Sequence, residues 1–260
     1  MHKRWLKSVS AVMALCIPLS AMAQNPASPP QQTAAPLTIA AASWQSGDYW
    51  ANFEHQLLVD FANLARYRAA NLQLGPATAG RVVFIGDSIT DGWKLDNSFP
   101  GKPYINRGIG GQTTSQILLR FRQDAIDLHP RVVLILAGTN DIAGNTGPTT
   151  PAQIEGNLES MAQLASANHI KVVLCSVLPA VYYFWHPQVA NPTGRIVALN
   201  GWLKAYAARH HDIYVDYYAA LKDSAGGFRP GLSKDGVHPL PAGYAIMAPL
   251  AQAAIDKALK

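Results

Sequence analysis

The sequence predicts an α/β fold, namely a doubly wound, three-layer α/β/α sandwich with about five parallel strands. Short runs of Val, Ile and Leu recur along the chain without polar alternation, which is typical of strands covered on both faces of a parallel sheet. Amphipathic helical patterns separate these runs, and this alternation predicts βαβ units. The 260 residues, 49% hydrophobic and 14% charged, are sufficient for one large folded domain.

Five strands are predicted, four from strong apolar runs and the second from a weaker one. In chain order they span residues 81–85, 103–106, 131–136, 171–177 and 212–216. Glycines and polar residues follow several of these runs directly. Because ligands of doubly wound sheets bind beyond the carboxyl ends of the strands, we expect a functional site at that edge.

Helices are predicted before, between and after the strands. Between Tyr49 and Leu74 apolar residues recur at three- and four-residue spacing, which predicts one amphipathic helix that ends at Gly75-Pro76. The remaining helices are expected over roughly 113–128, 152–168, 194–210 and 241–259.

The N-terminal residues predict export. Basic residues precede an apolar stretch that ends at Ala21-Met22-Ala23, the order found in a secretory signal. The apolar stretch is interrupted by Pro18 and is shorter than the ~20 residues that a spanning helix needs. We therefore expect a signal peptide over 1–23, a Pro/Ala-rich linker over 24–43, one domain over 44–260, and a periplasmic or extracellular location without a stable membrane anchor.

The charge balance argues against a nucleic-acid partner. The formal net charge is +5, from 21 basic and 16 acidic residues. Three of the basic residues and none of the acidic ones lie in the predicted signal, which leaves a mature net charge near +2. The mature sequence contains no cluster of Lys and Arg of the kind that a phosphate backbone requires.

A serine, a histidine and an aspartate form a candidate catalytic group. Ser88 follows the first predicted strand directly, and a serine hydroxyl needs a base that a carboxylate orients. Asp235 stands three residues before His238, so its carboxylate can close one turn and accept the Nδ1 proton. The Nε2 atom can then face Ser88.

Two further residues are candidates for stabilising an oxyanion. Gly111 can offer a backbone N–H at the start of a helix, and Asn140 can offer a side-chain amide just past the third strand. Each residue alone has an ordinary structural explanation as a turn residue or a helix cap. The functional interpretation depends on segments from different strands meeting at one edge of the sheet.

Four segments resemble the signature blocks of the SGNH/GDSL hydrolase family, in the same order along the chain. They are Phe84-Ile-Gly-Asp-Ser88, Asn106-Arg-Gly-Ile-Gly-Gly111-Gln-Thr, Gly138-Thr-Asn140-Asp141 and Asp235-Gly-Val-His238-Pro. The resemblance implies a flavodoxin-like SGNH fold and a serine esterase that uses Ser88, Asp235 and His238. It also implies an oxyanion hole formed by the N–H of Ser88 with Gly111 and Asn140. In the first block Ile89 stands in place of the usual leucine, an exchange of one apolar residue for another.

We expect the loop after the fourth strand to line the substrate-binding site, because it contains the aromatic run Tyr182-Tyr-Phe-Trp185. Aromatic faces with polar edges suit sugar rings, so Tyr183, Trp185 and Trp93 are candidate substrate contacts. The alternative is that these rings only pack beneath the loop. The expected reaction is hydrolysis of short-chain carboxyl esters, above all O-acetyl groups on oligo- or polysaccharides, through an acyl-enzyme intermediate.

Other classes of protein share parts of this sequence pattern. A lysophospholipase or thioesterase acting on lipids uses the same chemistry, whereas an inactive carbohydrate-binding module would lack one of the catalytic residues. An α/β-hydrolase would show Gly-x-Ser-x-Gly, and a dinucleotide site would have a third glycine where Thr113 stands. His210 and His211 are adjacent, which is not a metal-ligand spacing, and neither a metal nor a cofactor is expected.

Overall fold

The structure of the protein, a computed structural model, describes residues 47–260, with side chains from residue 51 onward. The predicted signal peptide and linker lie outside the described residues. Five parallel strands within the described part pair into one sheet. They are β1 (Val82–Gly86), β2 (Tyr104–Gly108), β3 (Val132–Leu136), β4 (Lys171–Cys175) and β5 (Ile213–Val215).

The sheet has the strand order β2-β1-β3-β4-β5, with every neighbouring pair parallel. This is the flavodoxin-like doubly wound order, in which the ligand lies at the switch point between β1 and β3. In the register, Gly86 pairs with Gly108 on one side and with Leu136 on the other. The segments that follow β1, β2 and β3 therefore leave the sheet side by side.

Helices cover both faces of the sheet, which confirms the predicted three layers. In the described residues these are α1 (Gly47–Val59), α2 (Arg68–Gln73), α3 (Ser88–Asp91), α4 (Leu95–Ser98), α5 (Thr114–Asp124), α6 (Thr139–Ala143), α7 (Pro151–Ala167), α8 (Pro192–His210), α9 (Tyr217–Leu221) and α10 (Pro241–Ala258). A 3₁₀ turn over Ile126–Leu128 follows α5. Helices α5, α7 and α8 pack on one face, while α10 packs with α3, α4 and α9 on the other.

The core has two halves, one on each face of the sheet, because successive side chains of a strand point to opposite faces. Val83 and Ile85 of β1 face α5 and α7, whereas Val82 and Phe84 face α10, and all four are fully buried. A strand that is buried on both faces requires apolar residues at every position. For this reason the predicted strands agree with the observed ones to within one or two residues.

The prediction of one helix between Tyr49 and Leu74 is wrong, because α1 and α2 are separate. The Asp60 carboxylate accepts hydrogen bonds from the backbone N–H groups of Leu64 (2.9 Å) and Ala65 (3.0 Å), so its side chain closes a turn where a helix would continue. Asn63 adopts the left-handed conformation, with φ of 52°. The connecting segment crosses α5, where the Gln116 side chain donates to the Phe61 carbonyl.

No helix among residues 47–260 is both long enough and apolar enough to cross a membrane.

A buried guanidinium joins the sheet to α5. The Arg120 side chain is 0% exposed and pairs with the equally buried Asp124 at 3.2 Å. Three further N–H groups donate to the carbonyls of Gly86 and Arg107, both at 2.9 Å, and to Oε1 of Gln112 at 2.6 Å. One side chain thereby holds the carboxyl ends of β1 and β2 together.

Replacement of Arg120 by alanine should destabilise the fold by about 3–5 kcal/mol, because the Asp124 carboxylate would remain buried without its charge partner. The matched control is Arg122→Ala on the same helix, since Arg122 forms an exposed pair with Asp127 at 3.8 Å. That control should change stability by no more than about 1 kcal/mol. Urea unfolding of both variants measures the difference, and equal losses would show that the buried pair has no special role.

Candidate active site

Ser88 is the first residue of α3, directly after β1 and the capping residue Asp87. The Asp87 carboxylate accepts from the backbone N–H of Ile89 at 2.9 Å, which starts the helix at this point. The Tyr244 hydroxyl donates to the Ile89 carbonyl at 2.7 Å, so α10 holds the same turn from the opposite side. The serine is half-buried and sits on a turn that is fixed at both ends.

Glycine at position 108 allows α3 to lie against the end of β2. A Cβ atom at Gly108 would lie 2.0 Å from the backbone nitrogen of Asp91, which no side chain can tolerate. The Asn106 side chain links the two elements, because it donates to the Thr90 carbonyl in α3 (2.6 Å) and accepts from the Gly108 N–H in β2 (2.8 Å). The turn that carries Ser88 is therefore locked onto the neighbouring strand.

The segment before α10 places His238 opposite Ser88. The Oγ atom of Ser88 lies 2.9 Å from Nε2 of His238, and Nδ1 of His238 lies 2.8 Å from Oδ2 of Asp235. With its proton on Nδ1, the imidazole donates to the carboxylate and accepts from the serine hydroxyl. The three side chains form a continuous chain from nucleophile to base to carboxylate.

Asp235 is held as a carboxylate by its own loop. Its burial favours the neutral acid, but hydrogen bonds from the ring and backbone of His238 and from the Val237 N–H outweigh burial and lower the pKa of Asp235 to about 2. Gly236, with φ of +82°, provides the left-handed turn that aims both backbone N–H groups at one oxygen. The spacing of three residues between Asp235 and His238 thus closes a compact local unit.

The oxyanion candidates lie on the neighbouring loops. Gly111 adopts φ of +78°, and a Cβ atom there would lie 2.8 Å from the Phe53 ring of α1, so both backbone and space favour glycine. Asn140 is buried in the first turn of α6, and its Nδ2 donates to the Gln112 carbonyl at 2.9 Å. An amide nitrogen carries two hydrogens, which leaves one for a developing negative charge.

The loop of Asn140 is tied to the start of α5 by its neighbour. Both carboxylate oxygens of Asp141 accept from Thr114, from its backbone N–H (2.9 and 3.1 Å) and from its hydroxyl (2.6 Å). A carboxylate is favourable at a helix N-terminus, where unpaired N–H groups point outward. This contact keeps the segments after β2 and β3 side by side.

The structure brings Ser88, His238 and Asp235 together, and it places Gly111 and Asn140 on adjoining loops. Two of the expected substrate contacts are corrected. Trp93 is 2% exposed and Tyr183 is 0% exposed, so neither ring offers a face to a substrate. Trp93 packs edge-on against Phe84 in the core. Trp185 remains partly exposed, and its indole N–H donates to Oδ1 of Asn145 at 2.8 Å.

Two residues near the site were not singled out from the sequence, namely Tyr182, which was named only as the first residue of the aromatic run, and Asn145. Tyr182 is 49% exposed, and its Cε1 would lie 3.6 Å from a Cβ atom at Gly236, so this ring borders the catalytic loop. The aromatic run alone does not show which of two successive tyrosines turns inward. Asn145 lies five residues after Asn140, in a segment whose composition is that of an ordinary turn.

The fold is an α/β/α sandwich, and beyond its parallel sheet a serine, a histidine and an aspartate meet in the arrangement of a serine hydrolase. The chain belongs to the GDSL-like lipase/acylhydrolase family, whose family model matches residues 84–246. That span includes Ser88 after β1 and the segment from Asp235 to His238. The protein is therefore an ester-hydrolysing serine hydrolase.

Similar proteins agree with this assignment. Esterase TesA of Pseudomonas aeruginosa is 30% identical over 178 residues, which cover 63% of this chain and 81% of that protein. A GDSL-like lipase of Bacteroides thetaiotaomicron is 44% identical, with a TM-score of 0.74, and the match covers 76% of this chain and 100% of that one. An acetylxylan esterase of Geobacillus stearothermophilus shares the fold, with a TM-score of 0.57, 22% identity and coverage of 69% and 95%.

The buried Asp87 generates a prediction for the pH dependence of stability. Burial raises the pKa of Asp87 to about 7, and its Oδ2 has no hydrogen-bond partner among the described residues. In the unfolded chain the pKa of an aspartate is about 3.9. Between about pH 4 and 7 the folded state therefore binds more protons than the unfolded state. The contribution of Asp87 to stability should therefore fall as the pH rises through this window.

Asp87→Asn does not titrate and retains an oxygen to accept from Ile89. Urea unfolding at several pH values between 4 and 7.5 should show the variant gaining stability relative to the parent protein as the pH rises. Asp127→Asn, which replaces an exposed carboxylate, serves as the control for the loss of one acidic group. A constant difference between the Asp87 variant and the parent would contradict the prediction.

Proposed function

We propose that the protein hydrolyses short-chain carboxyl esters with Ser88 as nucleophile, His238 as general base and Asp235 as the orienting carboxylate. The observation that supports these roles is the unbroken chain of two hydrogen bonds, of 2.9 and 2.8 Å, from Ser88 through His238 to Asp235. Family membership gives the reaction class. The geometry is the basis for assigning the individual roles.

In the first half of the reaction, Oγ of Ser88 forms a bond to the acyl carbon while its proton passes to Nε2 of His238. The carbonyl π electrons move to the oxygen, which becomes an anion. The tetrahedral intermediate then collapses, the bond to the alcohol oxygen breaks, and that oxygen takes the proton from His238. An acyl-enzyme remains on Ser88, and Asp235 stabilises the imidazolium while it exists.

In the second half a water molecule replaces the serine as the nucleophile. Nε2 of His238 takes a proton from the water while the water oxygen bonds to the acyl carbon. The bond between the acyl carbon and Oγ then breaks, and the proton returns to Ser88, which releases the carboxylic acid. Both tetrahedral intermediates carry their negative charge on the same oxygen. The amide of Asn140 and the backbone N–H groups of Gly111 and Ser88 are the donors that we assign to it.

The proposed substrates are O-acetyl esters of carbohydrates. The exposed ring of Tyr182 borders the loop of Asp235 and His238, and the indole N–H of the partly exposed Trp185 donates to Asn145. Exposed aromatic rings beside the loops of His238 and Asn140 suit a flat sugar ring with polar edges. We also propose export, from the N-terminal sequence pattern, which would place the enzyme where polysaccharides occur outside the cytoplasm.

An organophosphate directed at serine hydrolases should label Ser88 alone. Ser88→Ala should abolish labelling, and His238→Ala should lower kcat by about 10⁴-fold or more, because the hydroxyl then lacks its base. Peptide mapping by mass spectrometry and turnover of an activated acetyl ester measure the two effects. The control is His129→Ala, a histidine that follows the 3₁₀ turn Ile126–Leu128. Labelling of another residue, or near-normal turnover without His238, would overturn the assigned roles.

Substrate preference separates carbohydrate esters from lipid esters. With a series of acyl chains from C2 to C12, kcat/KM should be highest at C2, and acetylated xylo-oligosaccharides should be hydrolysed. Tyr182→Ala should raise KM for the oligosaccharide by about 10-fold, a loss of roughly 1.4 kcal/mol in sugar binding, and leave an activated acetyl ester unaffected. Val181→Ala, an exposed neighbour in the same loop, is the control. A steady rise of kcat/KM from C2 to C10 would favour a lysophospholipase or thioesterase instead.

A further inference from the structure

Asn145 joins three parts of the site through one side chain. Its Nδ2 donates to Oδ1 of Asn140 at 3.0 Å and to the carbonyl of Gly111 at 2.9 Å. Its Oδ1 accepts the indole N–H of Trp185 at 2.8 Å. Both hydrogens and the oxygen of the amide are thus engaged, and each bond reaches a different loop.

These contacts determine which way the Asn140 amide points. In the observed orientation Oδ1 of Asn140 accepts from Asn145, while Nδ2 donates to the carbonyl of Gln112. A rotation by 180° would set the oxygen of Asn140 against the Gln112 carbonyl and its nitrogen against the Nδ2 donor of Asn145. Both contacts would become repulsive, so only one orientation remains, and it keeps the second Nδ2 hydrogen available.

The position of Asn145 is itself fixed by the backbone. Gly144, with φ of +81°, ends α6, and the N–H of Asn145 donates to the carbonyl of Asn140 at 3.0 Å. Backbone and side chain of Asn145 therefore both bind the residue that we assign to the oxyanion. A donor held in this way does not have to reorient when the negative charge develops, and this is the condition for strong electrostatic stabilisation.

We propose that Asn145 is a positioning residue for the oxyanion hole, which orients the Asn140 amide and the Gly111 turn and links both to Trp185. The proposal rests on the function proposed above. Asn145 acts through its neighbours and does not itself contact the reacting atoms. Its loss should therefore reduce kcat with little effect on KM, and the reduction should depend on the presence of Asn140.

Asn71→Ala is the matched control, because Asn71 has a comparable set of hydrogen bonds away from the proposed catalytic residues. It is also half-buried, and its Nδ2 donates to the Gln123 carbonyl (3.1 Å) and to Asp124 (2.7 Å). Its Oδ1 accepts from Arg107 at 2.9 Å, so it has the same set of three hydrogen bonds. These partners lie on β2 and on the last turn of α5, and none of them is a residue of the proposed catalytic group.

The test is a double-mutant cycle between positions 140 and 145 with an activated acetyl ester as substrate. Asn140→Ala should lower kcat by about 10²–10³-fold, and Asn145→Ala by about 10-fold with KM changed less than about twofold. In the Asn140→Ala background, Asn145→Ala should lower kcat by less than about threefold further. Asn71→Ala should lower the melting temperature and change kcat by less than about twofold, because the pair of Arg120 and Asp124 at 3.2 Å does not depend on Asn71.

Asn145→Asp provides a second variant, because it preserves the shape and the acceptor for Trp185 but removes both Nδ2 hydrogens. Its kcat should fall at least as far as that of the alanine variant, and an alkylboronic acid, which forms a tetrahedral adduct on serine, should bind more weakly by a similar factor. Fully additive losses, or a change mainly in KM, would overturn the role of Asn145. If wild-type Ser88 were not labelled by the organophosphate, the proposed function itself would fail.

Discussion

The buried guanidinium of Arg120 is the interaction on which the oxyanion side of the site depends. It donates to the last residue of β1, to the carbonyl of Arg107 in β2 and to the side chain of Gln112. Gln112 in turn offers its carbonyl to the Asn140 amide. A fully buried charge is costly unless it is paired and hydrogen-bonded, and here the bonds of Arg120 hold the carboxyl ends of β1 and β2 and the loop that contains Gln112. The stability of the sheet edge and the orientation of the proposed oxyanion donor therefore share one network.

The triad side is built in a different way. Asp235 and His238 belong to a single turn, and the carboxylate is bound by the backbone of the same four residues. This unit needs no distant partner for its internal geometry, and only its placement before α10 brings Nε2 to Ser88. A local unit of this kind is recognisable in a sequence, because all of its determinants lie within a few positions. The oxyanion side, in contrast, is assembled from residues 86 to 145 through tertiary contacts.

This difference explains what the sequence could predict. Continuous apolar runs located the strands, and short motifs located Ser88, Asp235 and His238, because both signals are local. The break between α1 and α2 was missed, since the apolar spacing continues across Asp60 while its carboxylate ends the helix. Trp93 and Tyr183 were misjudged because aromatic composition does not reveal which rings enter the core. The role proposed for Asn145 could not be predicted, because it depends on the three loops that its side chain joins.

The loop after β4 connects the two sides. Tyr182 borders Gly236 in the turn of the triad, and Trp185 binds Asn145 on the oxyanion side, while Tyr183 between them is buried in the core. The buried tyrosine holds the loop in place, and its neighbours extend to both halves of the site. The proposed substrate contacts and the proposed oxyanion hole are therefore not independent in this fold. A change in the loop that alters the position of Trp185 would act on Asn145 as well, so selection for a new substrate at this loop also acts on the rate of the chemical step.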